Sequence, residues 1–293
     1  MVYKKTIGEW IFDIFNYLFL TLLVIVTLYP CYYVLVASVS DPLKIFASNG
    51  MLFYPKGFSL GSYLEVIKSN QIWIGYKNTL IYVVCGGFLS VMLTVTAAFG
   101  LTRKGLPGRN LIMFLIMFTM YFSGGLIPTY LVVKSVGLLN SPLAMIIVNA
   151  VTTYNLIITV SYFRSMPDTL EEAAKIDGAG DYTVLFRIML PLAKPIIAVI
   201  SLYYMVAIWN NFMTALIYLS DRKHFPLQMI LREILIQNNT DSVSASGTAD
   251  DAQAYAENLK YAIIVVSTLP ILCVYPFIQK YFVKGVMIGA IKG

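Results

Sequence analysis

The sequence predicts an all-α polytopic membrane protein, and three observations carry that prediction. Hydrophobic residues make up 58% of the 293 residues and charged residues only 12%, against roughly 45–50% and 25% in soluble domains. The apolar residues fall in long runs separated by polar stretches. Those runs are too long and too uniformly apolar for barrel strands. Inside hydrocarbon each unpaired backbone group costs several kcal/mol, so the spanning structure must be a closed helix.

Six transmembrane helices are expected, at about 11–39, 78–101, 111–133, 141–160, 196–220 and 261–282, each near the roughly 20 residues that cross a bilayer core. The first run is longer than that, so it either tilts or bends after Pro30. It has no small-residue cleavage site beside it and reads as a retained span. The first outer loop, about 40–77, holds Pro42 and Pro55 and a short helix expected from Ser59 to Asn70. The last outer loop, about 221–260, contains NNTDSVSASGTADDAQAY, a polar excursion with little apolar surface to offset its ordering entropy.

Charge orients the spans. Arg103, Lys104 and Arg109 crowd the short 102–110 loop, and Lys4, Lys5, Arg164, Lys175, Arg187, Lys194, Lys280, Lys284 and Lys292 fall on the same side of the six-span scheme. By the positive-inside rule that side is the cytoplasm, with both termini inside. The formal charge of +6 is therefore assigned to lipid headgroups, and no nucleic-acid partner is expected.

Polar residues within the spans are candidates for a solute path. Tyr203, Tyr204, Trp209, Asn210 and Asn211 cluster in the fifth span, and Asn149 and Thr153 lie four apart in the fourth, on one expected helical face. Aromatic rings cover the apolar faces of sugars, while amides and hydroxyls bond their rims. The same residues also suit interhelical hydrogen bonds that lock a bundle, and both readings stand at this point. Thr119, Tyr121 and Ser123 lead into Gly124-Gly125 and Pro128, a natural place for a broken helix. Gly86, Gly87, Ser90, Ala97, Ala98 and Gly100 suit close packing, and Asn78-Thr79 reads as a cap.

Enzymatic chemistry finds no support. His224 is the single histidine, and Cys31, Cys85 and Cys273 are far apart in apolar runs, as buried small hydrophobes would be; neither a metal site nor a cofactor site is expected. A GxSxG spacing occurs once, at Gly57-Phe58-Ser59-Leu60-Gly61 in the first outer loop, but there is no HExxH and no phosphate-cradling G-x-x-x-x-G-K-[ST]. No acidic residue sits near the centre of a span, which argues against a carboxylate-based ion-coupled carrier.

The loop 161–195, SYFRSMPDTLEEAAKIDGAGDYTVLFRIMLPLAKP, is longer than a connection between antiparallel helices needs. Asp168 is placed to cap a short helix, with Glu171 completing a capping box. Gly178 either ends that helix or allows a close backbone approach. Asp181 is placed to cap a second helix, with Pro191 and Pro195 before the fifth span. Physically the loop suits a protein-docking socket or an amphipathic segment lying on the bilayer.

This loop resembles the signature loop of binding-protein-dependent ABC importer permeases. The matching pattern is Glu172-Ala173-Ala174, three residues, Gly178, nine residues, then Ile188, Leu190 and Pro191. Ile176 to Ala179, Gln279 to Gly285 and Gly289 to Gly293 resemble the carbohydrate-uptake family, and Gly124 to Tyr130 resembles its complex-oligosaccharide branch. The resemblance spans the whole chain. It implies a type I ABC importer permease fold, with 1–293 as a single permease domain and 161–195 as its cytoplasmic coupling loop.

It further implies a pore-forming subunit of an oligosaccharide importer in the bacterial cytoplasmic membrane. The implied partners are a second homologous permease subunit in a heterodimer, two ATPase subunits that bind ATP and Mg, an extracytoplasmic solute-binding protein and the oligosaccharide itself. Glu171, Glu172, Ala173, Ala174, Asp177, Gly178, Ala179, Ile188, Leu190 and Pro191 would couple to the ATPase, and the chain itself would hydrolyse nothing. The rival expectations are an ion-coupled secondary transporter and a membrane scaffold subunit without a solute path.

Overall fold

Residues 6–47, 50–241 and 249–290 are described by a computed structural model, the side chains of 237–241, 249–253, 275 and 277–290 excepted. The described chain is helical throughout, with one isolated bridge pairing Ser40 and Phe58. It divides into two compact units, Met1–Ser69 with Glu233–Leu269, and Asn70–Arg232 with Pro270–Gly293.

In the first unit, α1 (Ile7–Ser38) opens with a capping box in which Thr6 and Glu9 bond each other's backbone amides. It runs unbroken through Pro30, and its 32 residues measure about 48 Å at 1.5 Å each, longer than the hydrocarbon core, as a tilted span requires. Most of its large apolar side chains are exposed on the chain's surface, where lipid or another chain is their only apolar cover. A single turn, α2 (Pro42–Phe46), and α3 (Gly61–Lys68) follow, α3 matching the short helix expected there. The buried Asn258 of α16 (Ala249–Ala290) ties this unit together. Its amide donates to the carbonyls of Ala37 (2.8 Å) and Ser40 (3.2 Å) and accepts from the Ser62 hydroxyl (2.6 Å).

The second unit is built on one rod, Asn70–Thr102, composed of α4 (Asn70–Ile81), a π-helical turn (Tyr82–Gly86) and α5 (Gly87–Thr102). The second span therefore begins eight residues before the expected 78, and Asn78 and Thr79 are not a cap. Asn78 donates to the carbonyls of Lys223 (2.8 Å) and Phe225 (3.0 Å), and Thr79 accepts the Leu227 amide (2.8 Å). These bonds strap the segment 222–230 onto α4, where Gly75 lets it come close: a Cβ there would lie 2.7 Å from Ile230 and 3.0 Å from the Leu227 backbone.

Three expected spans are discontinuous. α6 (Arg109–Tyr121) and α7 (Leu126–Ser135) meet at 115° across the Gly124-Gly125 break, with Gly125 at φ +84°, as the glycine pair and Pro128 suggest. The 141–160 segment is two pieces, α8 (Pro142–Ile147) and α9 (Thr153–Arg164), with a turn between them. α13 (Lys194–Trp209) stops at Asn210, and α14 (Met213–Tyr218) resumes after it. Among the described residues, three helices alone are long and apolar enough to cross a membrane, and five spans result when each strongly bent pair is taken as one.

α5, α9 and α13 enclose the principal core, centred on Val95, Ala98, Leu156, Val160, Ile200 and Tyr204. Gly86, Gly87, Ser90 and Ala98 are buried and serve helix packing, as expected; Ala97 is exposed, and a Cβ at Gly100 would meet nothing within 4 Å among the described residues, so these two do not. The cysteines differ from expectation. Cys31, Cys85 and Cys273 are unpaired and exposed, because in a membrane helix the apolar surface faces outward as well as inward. The last outer loop differs too. α15 (Leu227–Asp241) extends into it and α16 begins at Ala249, while 242–248 lies outside the described residues.

Candidate functional site

The 161–195 loop forms two helical pieces. The first, α10 (Thr169–Ile176), places Glu171 and Glu172 in its first turn and Lys175 in its last, the order the helix macrodipole favours. The capping box anticipated here is absent: Asp168 makes no side-chain bond to the helix start. Its carboxylate lies 2.7 Å from Lys104 instead. Glu171 pairs with Arg103 and with Lys175, the latter at 2.8 Å. Asp168 itself has helical backbone angles, φ −60° and ψ −28°, whereas a capping residue is extended, so its carboxylate is left to face the 102–110 turn.

Gly178 ends α10. It lies at φ +80°, its amide donates to Lys175 O (3.0 Å), and the next amide, of Ala179, donates to Ala174 O (2.9 Å). These are the paired bonds of a Schellman motif, completed by apolar contact as Ala174 and Ala179 join the core. Among the described residues, a Cβ at Gly178 would meet no atom within 4 Å. Of the two roles considered for this glycine, the backbone turn is the one realised within the chain.

The second piece comprises α11 (Asp181–Thr183), a π-helical stretch (Val184–Met189) and α12 (Leu190–Leu192). Asp181 is its first residue and caps nothing; Gly180 occupies the cap position. This piece meets α13 at 84°, the corner falling between Pro191 and Pro195 at Ala193.

The signature positions divide by direction. Ala174 is buried, and Ala179, Ile188 and Leu190 are partly buried against the core. Glu172, Ala173, Asp177, Gly178 and Pro191 are exposed. Two exposed apolar residues join them that were not among the expected coupling positions, Ile176 at 87% and Tyr182 at 82%. The helical spacing of Glu172 to Ile176 was available as a signal. The outward surface thus alternates carboxylates with apolar side chains, and beside it a cavity of about 780 Å³ is lined by Arg103, Lys104, Arg109, Arg164, Asp168 and Glu172 among others.

Electrostatics reinforce the arrangement. Partial burial pushes the Glu171 carboxyl up, yet Lys175 and Arg103 together outweigh it and hold it below the ordinary carboxylate range. Lys175 is held above the usual lysine value by its hydrogen bond to Glu171, and Lys104 by its bond to Asp168.

The proposed path residues separate into three places. Tyr204 is buried, its hydroxyl 2.6 Å from that of Thr94 and accepting the Thr152 amide at 3.1 Å. It locks α5, the α8–α9 turn and α13 together. Trp209 is buried with its ring edge-on to Tyr76, and its indole nitrogen has no hydrogen-bond partner among the described residues. Asn210 is exposed at the end of α13. Asn211 accepts the Thr214 amide in the first turn of α14 (3.0 Å) and donates to the Thr214 hydroxyl (2.8 Å). Asn149 reaches the same hydroxyl at 3.4 Å, so Thr214, missed from sequence, is the hub of this group.

Asn149 and Thr153 do not share a helical face, because the turn separates them. Thr153 instead faces Thr119 (3.3 Å) in a shallow apolar groove of about 410 Å³. Tyr203 is exposed, with its ring 6.2 Å from that of Tyr154. Arg232, also unmarked by sequence, lies 4.6 Å over the Phe212 ring beside the α13–α14 break, with a buried guanidinium nitrogen that lacks a hydrogen-bond partner among the described residues.

Comparison with known proteins places this arrangement. The family model "Binding-protein-dependent transport system inner membrane component" matches residues 72–288. The polygalacturonan/rhamnogalacturonan transport system permease protein YtcP of Bacillus subtilis (strain 168) is 41% identical, over 97% of this chain and 99% of its own. Protein LplC of the same organism is also 41% identical, over 97% and 95%. A crystal structure of a bacterial ABC transporter involved in import of the acidic polysaccharide alginate superposes with TM-score 0.86 at 30% identity, covering 96% of this chain and 100% of the other. The helical architecture is thus that of an ABC importer permease, and the chain belongs to the family of binding-protein-dependent transport system inner membrane components.

Proposed function

We propose that the chain is a pore-forming permease subunit of an ATP-driven importer of acidic oligosaccharides, working as a single permease domain. The observation that carries the reading is the 161–195 loop, whose exposed Glu172, Ala173, Ile176, Asp177 and Tyr182 surround a glycine-closed helix end. In this reading both termini and this loop are cytoplasmic. An ATPase subunit grips the outward positions while Ala174, Ala179, Ile188 and Leu190 hold the loop to the spans. A push on the Asp181–Leu192 piece is delivered around its 84° corner to α13, which carries Tyr203 to Asn210.

The partners are a second homologous permease subunit, two ATPase subunits holding ATP and Mg, and an extracytoplasmic solute-binding protein. This chain contributes no catalytic step. The acidic substrate class rests on two similar proteins, the polygalacturonan/rhamnogalacturonan transport system permease protein YtcP and the ABC transporter involved in import of the acidic polysaccharide alginate. Arg232 beside the Asn210–Asn211 break supports it, since a guanidinium binds a uronate carboxylate in bidentate geometry. Tyr203, Asn210 and Asn149 then line the path, while Tyr204, Trp209 and Asn211 shape it from behind and Thr153 lies apart.

The test is uptake into proteoliposomes holding the complete complex, with oligogalacturonates compared against neutral oligosaccharides. Accumulation of the acidic sugar that requires ATP supports the reading. Uptake driven by an ion gradient without an ATPase contradicts it.

A further inference from the structure

We propose that Arg103 is a positioning residue of the coupling machinery, clamping α10 to the end of α5 so that the two move as one body. The inference rests on the permease reading above and goes one step deeper into it. Arg103 directly follows α5 and is held there from two directions. Its Nε donates to the Phe99 carbonyl (3.2 Å), and its guanidinium lies 4.0 Å over the Phe99 ring. From that fixed base it pairs with Glu171 of α10. Glu171 immediately precedes Glu172-Ala173-Ala174, yet the structure turns it toward Arg103 while Glu172 faces out.

The surroundings single out this pair. The side chains of Arg103 and Glu171 are only 18% and 23% exposed, and partly shielded charges lose little of their attraction to solvent and salt. The neighbouring Lys104–Asp168 pair is 73% and 65% exposed, where ion pairs contribute little. Ala174 and Ala179 fasten α10 only through small apolar contacts, which are non-directional and tolerate sliding. The charged pair fixes register as well as proximity. Beyond it, α5 carries Thr94 to the Tyr204 hydroxyl, so the clamp joins the outward surface of α10 to the packing around α13.

The experiment compares wild type, Arg103→Glu, Glu171→Arg and the exchanged pair carrying both changes, each in the full complex with its ATPase, second permease subunit and binding protein. Two quantities are read: recovery of the ATPase on purification, and solute transported per ATP hydrolysed. Each single reversal is expected to leave recovery within about twofold and to lower the transport ratio about tenfold, a size typical of contacting pairs. The exchanged pair is expected to restore the ratio to within about threefold, as a pairwise interaction requires. Arg103→Lys, which keeps charge but loses the planar fork, should fall between.

Wild-type ratios in both single variants would overturn the clamp. So would an exchanged pair that assembles but stays uncoupled, and this outcome remains readable even if the single variants fail to accumulate. A wild-type complex that never links ATP hydrolysis to uptake would instead overturn the permease reading and, with it, the clamp.

Discussion

Gly178 separates backbone strain from partner contact in a way few positions allow. Its φ of +80° is a conformation that side chains with a Cβ rarely adopt, yet a Cβ there meets nothing within 4 Å among the described residues. Inside this chain Gly178→Ala and Gly178→Leu should therefore cost the same, about 1–2 kcal/mol for the left-handed backbone. Gly178→Asn should cost less, because Asn tolerates that region. If the ATPase requires the closed end of α10, that strain lowers its binding about 5–30-fold for Ala. Leucine would add a clash with the docked subunit of about 1–3 kcal/mol. The expected order of ATPase affinity is Gly, then Asn, then Ala, with Leu far below. The assay is ATPase binding to immobilised permease complex, with membrane insertion checked in parallel. Equal losses for Ala and Leu would show that no partner atom packs against Gly178, and wild-type binding by Leu would refute the reasoning altogether.

Three further outcomes follow from the geometry. Gly75→Ala should destabilise the second unit by about 1–3 kcal/mol through overpacking against Leu227 and Ile230, read as a lower thermal midpoint in detergent. Tyr204→Phe leaves Thr94 and the Thr152 amide without their shared partner and should cost about 1–3 kcal/mol by the same measurement. Glu171 titrates below the ordinary range because its cationic partners outweigh its burial. Its stabilisation of the 169–179 segment is complete above the unfolded value, about 4.3, and lost as pH falls through the lowered native value. Cleavage of this segment by an acid-tolerant protease should rise across that window in wild type and show no such step in Glu171→Gln.

The helices and the loop were legible in the sequence because both signals are local. Apolar runs declare spans, and Gly124-Gly125 with Pro128 declares a break. The break between α8 and α9 gave no such sign, since it contains no glycine or proline and only Asn149 and Thr152 interrupt the apolar residues there. Asn78 and Thr79 were misread as a cap because their partners lie some 145 residues along the chain, beyond any periodicity argument. Asp168 and Asp181 carry the right residue type for caps, but a capping residue must also be extended. Asp168 is helical, and its carboxylate faces Lys104 from another loop. Arg103 read only as a topology signal until its carboxylate partner was placed, and Thr214 gained meaning once Asn149 and Asn211 converged on it.

The account's central claim is that the outward surface of α10 is where an ATPase subunit engages this chain. The most direct measurement is site-directed crosslinking in the assembled complex, with Cys31, Cys85 and Cys273 replaced by serine and single cysteines placed in turn at Ala173, Asp177 and, as a control on the core side, Ala174. A short bifunctional reagent should join the Ala173→Cys and Asp177→Cys chains to the ATPase subunit, with a yield that changes when ATP is bound. The Ala174→Cys chain should give no such product. Absence of an ATPase crosslink from both exposed positions, in a complex that still transports, would contradict the claim.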